Sequence, residues 1–153
     1  MTDFAIEREI LIEAPADVVW HTITEPDQIQ KWFADRVEVD LSPGGAGTFV
    51  FEDRATSKEV TAPLVVEAVE PPHRFAFRWS HPEGQSPMAG NSMLVEFLLE
   101  ALGDERTRLR VVESGIDLVP WSDEEKARYV EDHRHGWSVH MGRLGDLLGV
   151  AGG

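Results

Sequence analysis

Alternating apolar and polar residues at the start of the chain predict a β-strand. In the stretch AIEREILIEAP, Ile6, Ile10 and Ile12 fall on one face and glutamates fall between them on the other. A period of two is typical of a strand that is buried on one side. The sequence therefore begins with a half-buried strand.

The next two segments predict short helices. PADVVWHTIT opens with proline and carries Trp20 among its apolar residues. In PDQIQKWF, Pro26 suits the first turn of a helix, and Ile29, Trp32 and Phe33 follow at the spacing i, i+3, i+4. Both segments are bounded by proline, so neither helix extends far.

Six further strands are predicted in series: DRVEVDL, GTFVFED, KEVTAPLVVEAVE, RFAFRWS, SMLVEFLLEAL and RTRLRVVESG. Alternation is clearest in RFAFRWS, where Phe75, Phe77 and Trp79 share one face. Pro63 lies inside the third of these segments. Because proline has no N–H for the ladder, it predicts an edge strand or a bulge there.

The last predicted element is a long helix. Ser122 and Glu125 match the S-x-x-E capping box, so the helix should begin at about Asp123. Apolar and aromatic side chains then recur at helical spacing, at Val130, Trp137, Met141, Leu144, Leu147 and Leu148. About 26 residues at 1.5 Å each span roughly 39 Å, which is enough to cross a sheet.

Four glycines interrupt this helix, and each lowers helix stability by about 1 kcal/mol relative to alanine. They predict a close approach of helix to sheet, a bend or, for the last of them, the end of the helix. They are Gly136, Gly142, Gly145 and Gly149.

The order of elements predicts one α+β domain over residues 1–153. A sheet of seven antiparallel strands has an apolar face to cover, and the terminal helix is the element long enough to cover it. We therefore expect a curved seven-stranded sheet wrapped around a long C-terminal helix, with two short helices after the first strand.

Five stretches in this order carry a resemblance to a known family: IEAPADVVWHTIT, PDQIQKWF, VVEAVEPPHRFAFRW, TRLRVVESGI, and HGW followed by LGDLL. Together they cover nearly the whole chain. They resemble the SRPBCC superfamily, which includes START and birch-pollen-allergen-like domains, and within it the homologues of the activator of heat-shock-protein-90 ATPase.

The resemblance implies a helix-grip fold with a mostly apolar cavity between sheet and helix, and no universal catalytic residue. It also implies a co-chaperone role in the stress response. The eukaryotic activator carries an additional N-terminal domain that helps to engage the chaperone, and no such segment is expected here. Co-chaperone activity is therefore the alternative rather than the first hypothesis.

Composition and charge limit the partners that the protein can bind and the chemistry that its side chains can carry out. The formal charge is −14, from 14 basic and 28 acidic residues, and such a surface repels nucleic acid and anionic membranes. The chain has no cysteine, which excludes disulfides and thiolate chemistry. No signal peptide and no apolar run of about 20 residues is found, so we expect a cytoplasmic protein.

Three of the six histidines cluster in YVEDHRHGWSVHMG, yet their spacing argues against a metal site. Helical ligands normally lie at i, i+4, and none of His133, His135 and His140 has another histidine four residues away. His133 and His140 are roughly 10.5 Å apart along the helix axis. No metal and no cofactor are predicted, and His135 should face solvent.

The same spacing predicts a stripe on the helix at positions 130, 133, 137, 140, 144 and 147 that faces the concave side of the sheet. Trp137 should be its centre, with His140 as a polar contact. Core packing, with His140 hydrogen-bonded to a neighbour, fits this stripe as well as a cavity wall does. Under the cavity hypothesis, the lining residues are Trp20, Trp32, Phe49, Phe51, Phe77, Trp79, Glu113, Trp137, His140, Met141 and Leu144.

Glu113 is the one candidate polar anchor. If Leu109 and Val111 point inward, alternation also turns Glu113 inward, while Arg108 and Arg110 face solvent. A buried carboxylate without a partner is costly, so Glu113 should meet a cation, a histidine or a ligand. The alternative is a carboxylate at the strand end that reaches water.

These features favour a binding module that holds a small hydrophobic or aromatic ligand, as a monomer or homodimer. One alternative is an activator of a heat-shock-protein-90 ATPase. Another is a cavity enzyme of cyclase or dehydratase type, which needs an acid–base pair in the pocket. His140 and Glu113 are the pair that the sequence offers, and no catalytic residue is assigned.

Overall fold

A computed structural model describes residues 5–53, 55–82 and 84–149 of the chain. Its elements follow the predicted order: β1 (Ile6–Ile12), α1 (Ala16–Thr24), α2 (Pro26–Ile29), β2 (Arg36–Val39), β3 (Ala46–Asp53), β4 (Lys58–Glu70), β5 (Arg74–Trp79), β6 (Met93–Ala101), β7 (Thr107–Ser114) and α3 (Asp123–Leu148). A 3-10 turn at Ile116–Leu118 links β7 to α3. Helix α2 is shorter than the predicted segment, because residues 30–33 form turns instead.

The seven strands form a single antiparallel sheet in the order β1-β7-β6-β5-β4-β3-β2. Strands β2 to β7 are joined as a meander, and β1 pairs with β7, with Ile6 opposite Glu113. Helix α3 lies across the concave face of this sheet, where the largest aromatic side chains are buried. The predicted α+β architecture is confirmed.

Pro63 lies in an interior strand, which corrects the expectation of a strand at the edge of the sheet. Strand β4 is flanked by β3 and β5, but its pairing with β5 begins only at Leu64. Residues 58–63 therefore pair with β3 alone and form a local edge, where the missing N–H of proline is tolerated. The bulge in β4 comes later, between Val66 and Ala68.

Helix α3 begins and ends as the sequence predicts. The Ser122 hydroxyl oxygen accepts a hydrogen bond from the Glu125 N–H at 3.1 Å. Gly149 ends the helix at φ 94°, in the left-handed region that glycine adopts without strain. No helix of the described residues is long and apolar enough to cross a membrane.

Two details of α3 differ from the predictions. The buried stripe ends at Leu144, because Leu147 is 43% exposed. Gly136 and Gly142 do not mark a close approach to the sheet, since a Cβ atom at either position would meet nothing within 4 Å. Both glycines face open space, and at Gly136 that space belongs to a cavity described below.

Candidate functional site

A cavity of about 370 Å³ opens between helix α3 and strands β3, β4 and β5. Exposed residues form part of its rim, so it is open to solvent on that side. Its wall consists mainly of aromatic and small apolar side chains with two imidazoles: Phe33, Phe51, Val60, Ala62, Trp79, Ser80, Asp132, His133, Gly136, Trp137 and His140.

Stacked rings form the floor of this cavity. The Phe33 ring lies parallel to Trp137, with centroids 5.3 Å apart and planes at 8°. Trp79 lies 5.9 Å from Trp137 at 30° and 6.1 Å from Phe33 at 24°. Three elements thus contribute one flat ring each: the turn after α2, the end of β5 and the middle of α3. Such a surface suits a planar ligand.

Directly behind this wall lies a fully buried carboxylate. Glu113 has 0% exposure, and each of its oxygens accepts two hydrogen bonds. Oε1 accepts from Trp137 Nε1 at 2.8 Å and is bonded to His133 Nδ1 at 2.9 Å. Oε2 accepts from Trp79 Nε1 at 2.9 Å and from the Tyr129 hydroxyl. The roughly four acceptor positions of a carboxylate are therefore all occupied.

Helical periodicity brings three of these donors together. Tyr129, His133 and Trp137 are spaced by four residues along α3, so they lie on one face of the helix. Glu113 faces them from β7, because alternation turns it inward as the sequence predicts, and Trp79 closes the group from β5. We call these five residues the Glu113 cluster.

The cluster keeps its carboxylate ionised. Burial raises the pKa of Glu113, but the hydrogen bond and charge of His133, with the hydrogen bonds of Tyr129 and Trp137, outweigh it, so the pKa is lowered. Burial, together with the neighbouring Glu113 charge, raises the pKa of the Tyr129 phenol. Tyr129 is therefore a hydrogen-bond donor, and the negative charge stays on Glu113.

His140 lines the same cavity but is not bonded to Glu113. Burial lowers its pKa to about 4; a hydrogen bond with the Trp32 backbone opposes this, and the nearby Arg143 charge adds a smaller lowering effect. Its Nδ1 is buried and has no hydrogen-bond partner among the described residues. The ring packs against Phe33 at 4.7 Å. The His140 imidazole is therefore neutral above about pH 4, and its Nδ1 is unsatisfied.

A second, more polar cavity of about 560 Å³ adjoins the first. The two share Phe33, Phe51 and His140 in their walls, and the second also includes Lys31 and Arg143. These three shared side chains therefore separate an aromatic space from a charged one.

The structure distributes the predicted lining residues over four places. Phe51, Trp79, Trp137 and His140 line the aromatic cavity, and Trp32 lines the polar one. Glu113 lies behind the wall. The remaining five are buried in the core, outside the wall of either cavity: Trp20, Phe49, Phe77, Met141 and Leu144.

The predicted acid–base pair is not formed. The four partners of Glu113 do not include His140, and His133 occupies that place instead. The spacing of three donors at i, i+4 and i+8 was the signal that could have identified Tyr129 and His133. Phe33 carried no such signal, since its place in the wall depends on how the turn after α2 folds back on α3.

The described side chains of the site do not form a metal centre. Among residues 5–53, 55–82 and 84–149, no group of three or more His, Asp or Glu side chains is arranged to hold a metal ion. His135 is exposed on α3, as its position off the stripe predicts. The polar side chains in the cavity wall are those of Ser80, Asp132, His133 and His140.

Comparison with known proteins places this geometry in a family. A family model described as "Activator of Hsp90 ATPase homolog 1-like protein" matches residues 13–149. A search of curated proteins finds no match.

Solved structures resemble the chain over almost its full length. DynU16, a protein of the dynemicin biosynthetic locus, is 26% identical with a TM-score of 0.72; the match covers 96% of this chain and 48% of DynU16. The Aha1 dimer from Colwellia psychrerythraea is 19% identical with a TM-score of 0.72, covering 97% and 96%. PFC0360w, an Hsp90 activator from Plasmodium falciparum, is 16% identical with a TM-score of 0.69, covering 96% and 97%.

Proposed function

We propose that this chain, a member of the family of activator of Hsp90 ATPase homolog 1-like proteins, is a binding module for a small aromatic or hydrophobic molecule. The observation that carries the proposal is the 370 Å³ cavity, whose wall combines stacked rings with a few polar groups. Ligand sites in proteins are typically about 300–1,000 Å³ and have this composition.

Cavity size and shape indicate the kind of ligand. At roughly 30 Å³ per water molecule, the space equals about twelve waters, which suits a molecule of one or two rings. The aromatic side chains in the wall, among them Phe51, Trp79 and Trp137, favour an aromatic or hydrophobic ligand. Two imidazoles in the wall, from His133 and His140, supply polar contacts that can orient it.

Two glycines on α3 offer a matched test. Gly136 lines the cavity and Gly142 does not, while a Cβ at either position meets open space. Gly136→Leu should fill the cavity, whereas Gly142→Leu adds the same side chain to the same helix elsewhere. Binding is measured as tryptophan fluorescence during titration with a panel of one- and two-ring aromatic compounds, since Trp79 and Trp137 lie in the wall.

The expected result is saturable quenching or enhancement in the wild type and in Gly142→Leu, with affinity at least about tenfold weaker in Gly136→Leu, because that side chain occupies ligand volume. The proposal fails if no compound gives a saturable response in the wild type. It also fails if the two leucine variants bind equally well.

Activation of a heat-shock-protein-90 ATPase is the second candidate, favoured by the family match over residues 13–149. It is tested by adding the protein to the cognate chaperone and measuring ATP hydrolysis. Stimulation that persists in Gly136→Leu would support a protein-interaction role that is independent of the cavity. Absence of stimulation by the wild type would exclude it. The oligomeric state, monomer or homodimer, is measured by sedimentation.

A further inference from the structure

We propose that the cavity selects aromatic ligands with an acidic hydroxyl group, a phenol or enol, and that Nε2 of His133 accepts the hydroxyl proton while Glu113 holds the imidazole in place. This inference rests on the proposed binding function and names the ligand class for the same cavity. It also assigns a proton-transfer role to a residue that the sequence pattern did not single out.

The neighbours of His133 fix the orientation of its imidazole ring. His133 Nδ1 lies 2.9 Å from Glu113 Oε1. One face of the ring stacks on Tyr129, with centroids 3.7 Å apart and planes at 18°. Trp79 meets it edge-on at 5.8 Å and 90°. A ring held by a hydrogen bond and two aromatic contacts has little freedom to turn.

The hydrogen bond to Glu113 fixes the tautomer of His133. An ionised carboxylate can only accept hydrogen bonds, so Nδ1 of His133 must carry a hydrogen. In the neutral imidazole, Nε2 is then a lone-pair acceptor. Four donors hold Glu113 in the ionised, acceptor-only form, and a neutral His133 bonded to it keeps its one ring hydrogen on Nδ1. The ring therefore presents an acceptor to a ligand that carries a hydrogen-bond donor.

The His133 ring is accessible to a ligand in the cavity. His133 lines the cavity, and its side chain is 28% exposed. No hydrogen bond joins its Nε2 to any other described residue, in contrast to the saturated oxygens of Glu113. Asp132 and His140 are the other titratable groups in the wall, and Tyr129 stacks behind the ring. Neither Asp132 nor His140 bonds the carboxylate, so among these three titratable wall residues His133 is the one bonded to the buried charge.

The chemistry is balanced without a co-reactant. The ligand O–H bond breaks, the N–H bond forms at Nε2, and the electron pair stays on the ligand oxygen. The products are a phenolate or enolate and an imidazolium. The imidazolium lies against the Glu113 carboxylate, which stabilises its positive charge in a buried site. An imidazole bonded to a backbone carbonyl would lack this compensation.

The test uses 4-nitrophenol and its methyl ether, 4-nitroanisole, which differ by the acidic hydrogen. The wild type should bind 4-nitrophenol about tenfold to hundredfold more tightly than the ether, as expected for a hydrogen bond to a polarised group. Bound 4-nitrophenol should show the absorption band of the phenolate at a pH where the free compound is still largely protonated.

Two phenylalanine variants separate the role of His133 from general effects on the cavity. His133→Phe should bind both compounds with similar affinity and should lose the phenolate band. His135→Phe changes an exposed imidazole of the same helix that is not part of the wall, and it should retain both properties. If His133→Phe does not fold, side-chain nitrogen NMR of the wild type replaces it, where addition of 4-nitrophenol should protonate one histidine Nε2.

The outcomes distinguish the inference from the binding function. Equal affinity of the wild type for the two compounds would overturn the inference and leave the binding function standing. A phenolate band that persists in His133→Phe, or an unchanged Nε2 in the NMR experiment, would also overturn it. If no aromatic compound of the panel binds, the binding function itself fails.

Discussion

The two faces of strand β7 treat charge in opposite ways. On the convex face, Arg110 donates to Glu7 at 2.8 Å, and the two side chains are 40% and 55% exposed. On the concave face three residues later, Glu113 has 0% exposure and four hydrogen-bond partners. Water can replace a lost partner on the first face but not on the second.

The exposed charges of the convex face therefore stabilise the fold little, whereas the buried Glu113 carboxylate needs hydrogen-bond partners within the fold. Exposed ion pairs contribute about 0–1 kcal/mol, because solvent and salt screen them. A buried carboxylate that loses its partners costs several kcal/mol. The convex pairs are numerous and individually weak, whereas the Glu113 cluster is single and concentrated. Substitutions on the two faces can therefore test this contrast.

Replacement of the buried carboxylate should have the largest effect. Glu113→Gln substitutes an amide, whose NH₂ group would face two hydrogen-bond donors, so the free energy of unfolding should fall by about 3–5 kcal/mol. Glu100→Gln on the convex face, where the side chain is 61% exposed, should change it by less than about 0.5 kcal/mol. Urea denaturation measures both. Similar losses in the two variants would contradict the contrast between the faces.

Lowering the pH should reduce the free energy of unfolding, because His140 is held in its neutral form on the concave side. Its pKa is lowered from 6.5 to about 4, so between these values the unfolded chain binds more protons than the folded one. Stability is fully present above about pH 6.5 and is lost as the pH falls towards 4, by up to about 1.4 kcal/mol per pH unit. The lowered pKa of Glu113 has the same sign, and its contribution is lost as the pH falls through the ordinary carboxyl pKa and below it.

Two variants isolate this dependence. In His140→Gln, the free energy of unfolding should fall less steeply between pH 6.5 and 4 than in the wild type. His135→Gln changes an exposed histidine of the same helix and should keep the wild-type slope. Parallel slopes for the wild type and His140→Gln in denaturant titrations would show that His140 is not the responsible group.

Removal of a single donor from the cluster should have an intermediate effect. Tyr129→Phe deletes the hydroxyl that donates to Glu113 Oε2 but keeps the ring that stacks on His133. Loss of a hydrogen bond to a charged group should cost about 1.5–3 kcal/mol. The unfolding midpoint in urea reports it. A loss below about 0.5 kcal/mol would mean that the ring, not the hydroxyl, is the important feature.

The smallest effect is expected on the convex face. A double-mutant cycle with Glu7→Ala and Arg110→Ala should give a coupling energy of about 0.2–1 kcal/mol, since both side chains are substantially exposed. The coupling should diminish in 1 M salt, where the Debye length is about 3 Å. Coupling above about 2 kcal/mol, or independence of salt, would show that this pair behaves like a buried one.

Local physical rules were enough to derive the elements and their order. Ser122 begins α3 and Gly149 ends it because capping is decided by a few neighbouring residues. Alternation likewise predicted the inward direction of Glu113, since side chains of a strand point to opposite faces in turn. The stripe centred on Trp137 followed from the helical period.

The sequence alone therefore determined the architecture, the caps and the inward carboxylate, because each depends on spacing along the chain. The tertiary structure decided which histidine meets Glu113, that Phe33 belongs to the wall, and that Gly136 opens onto a cavity. These outcomes depend on how far α3 lies from β5 and β7 and on how the turn after α2 folds back. Such distances arise from packing among distant segments, and local spacing does not encode them.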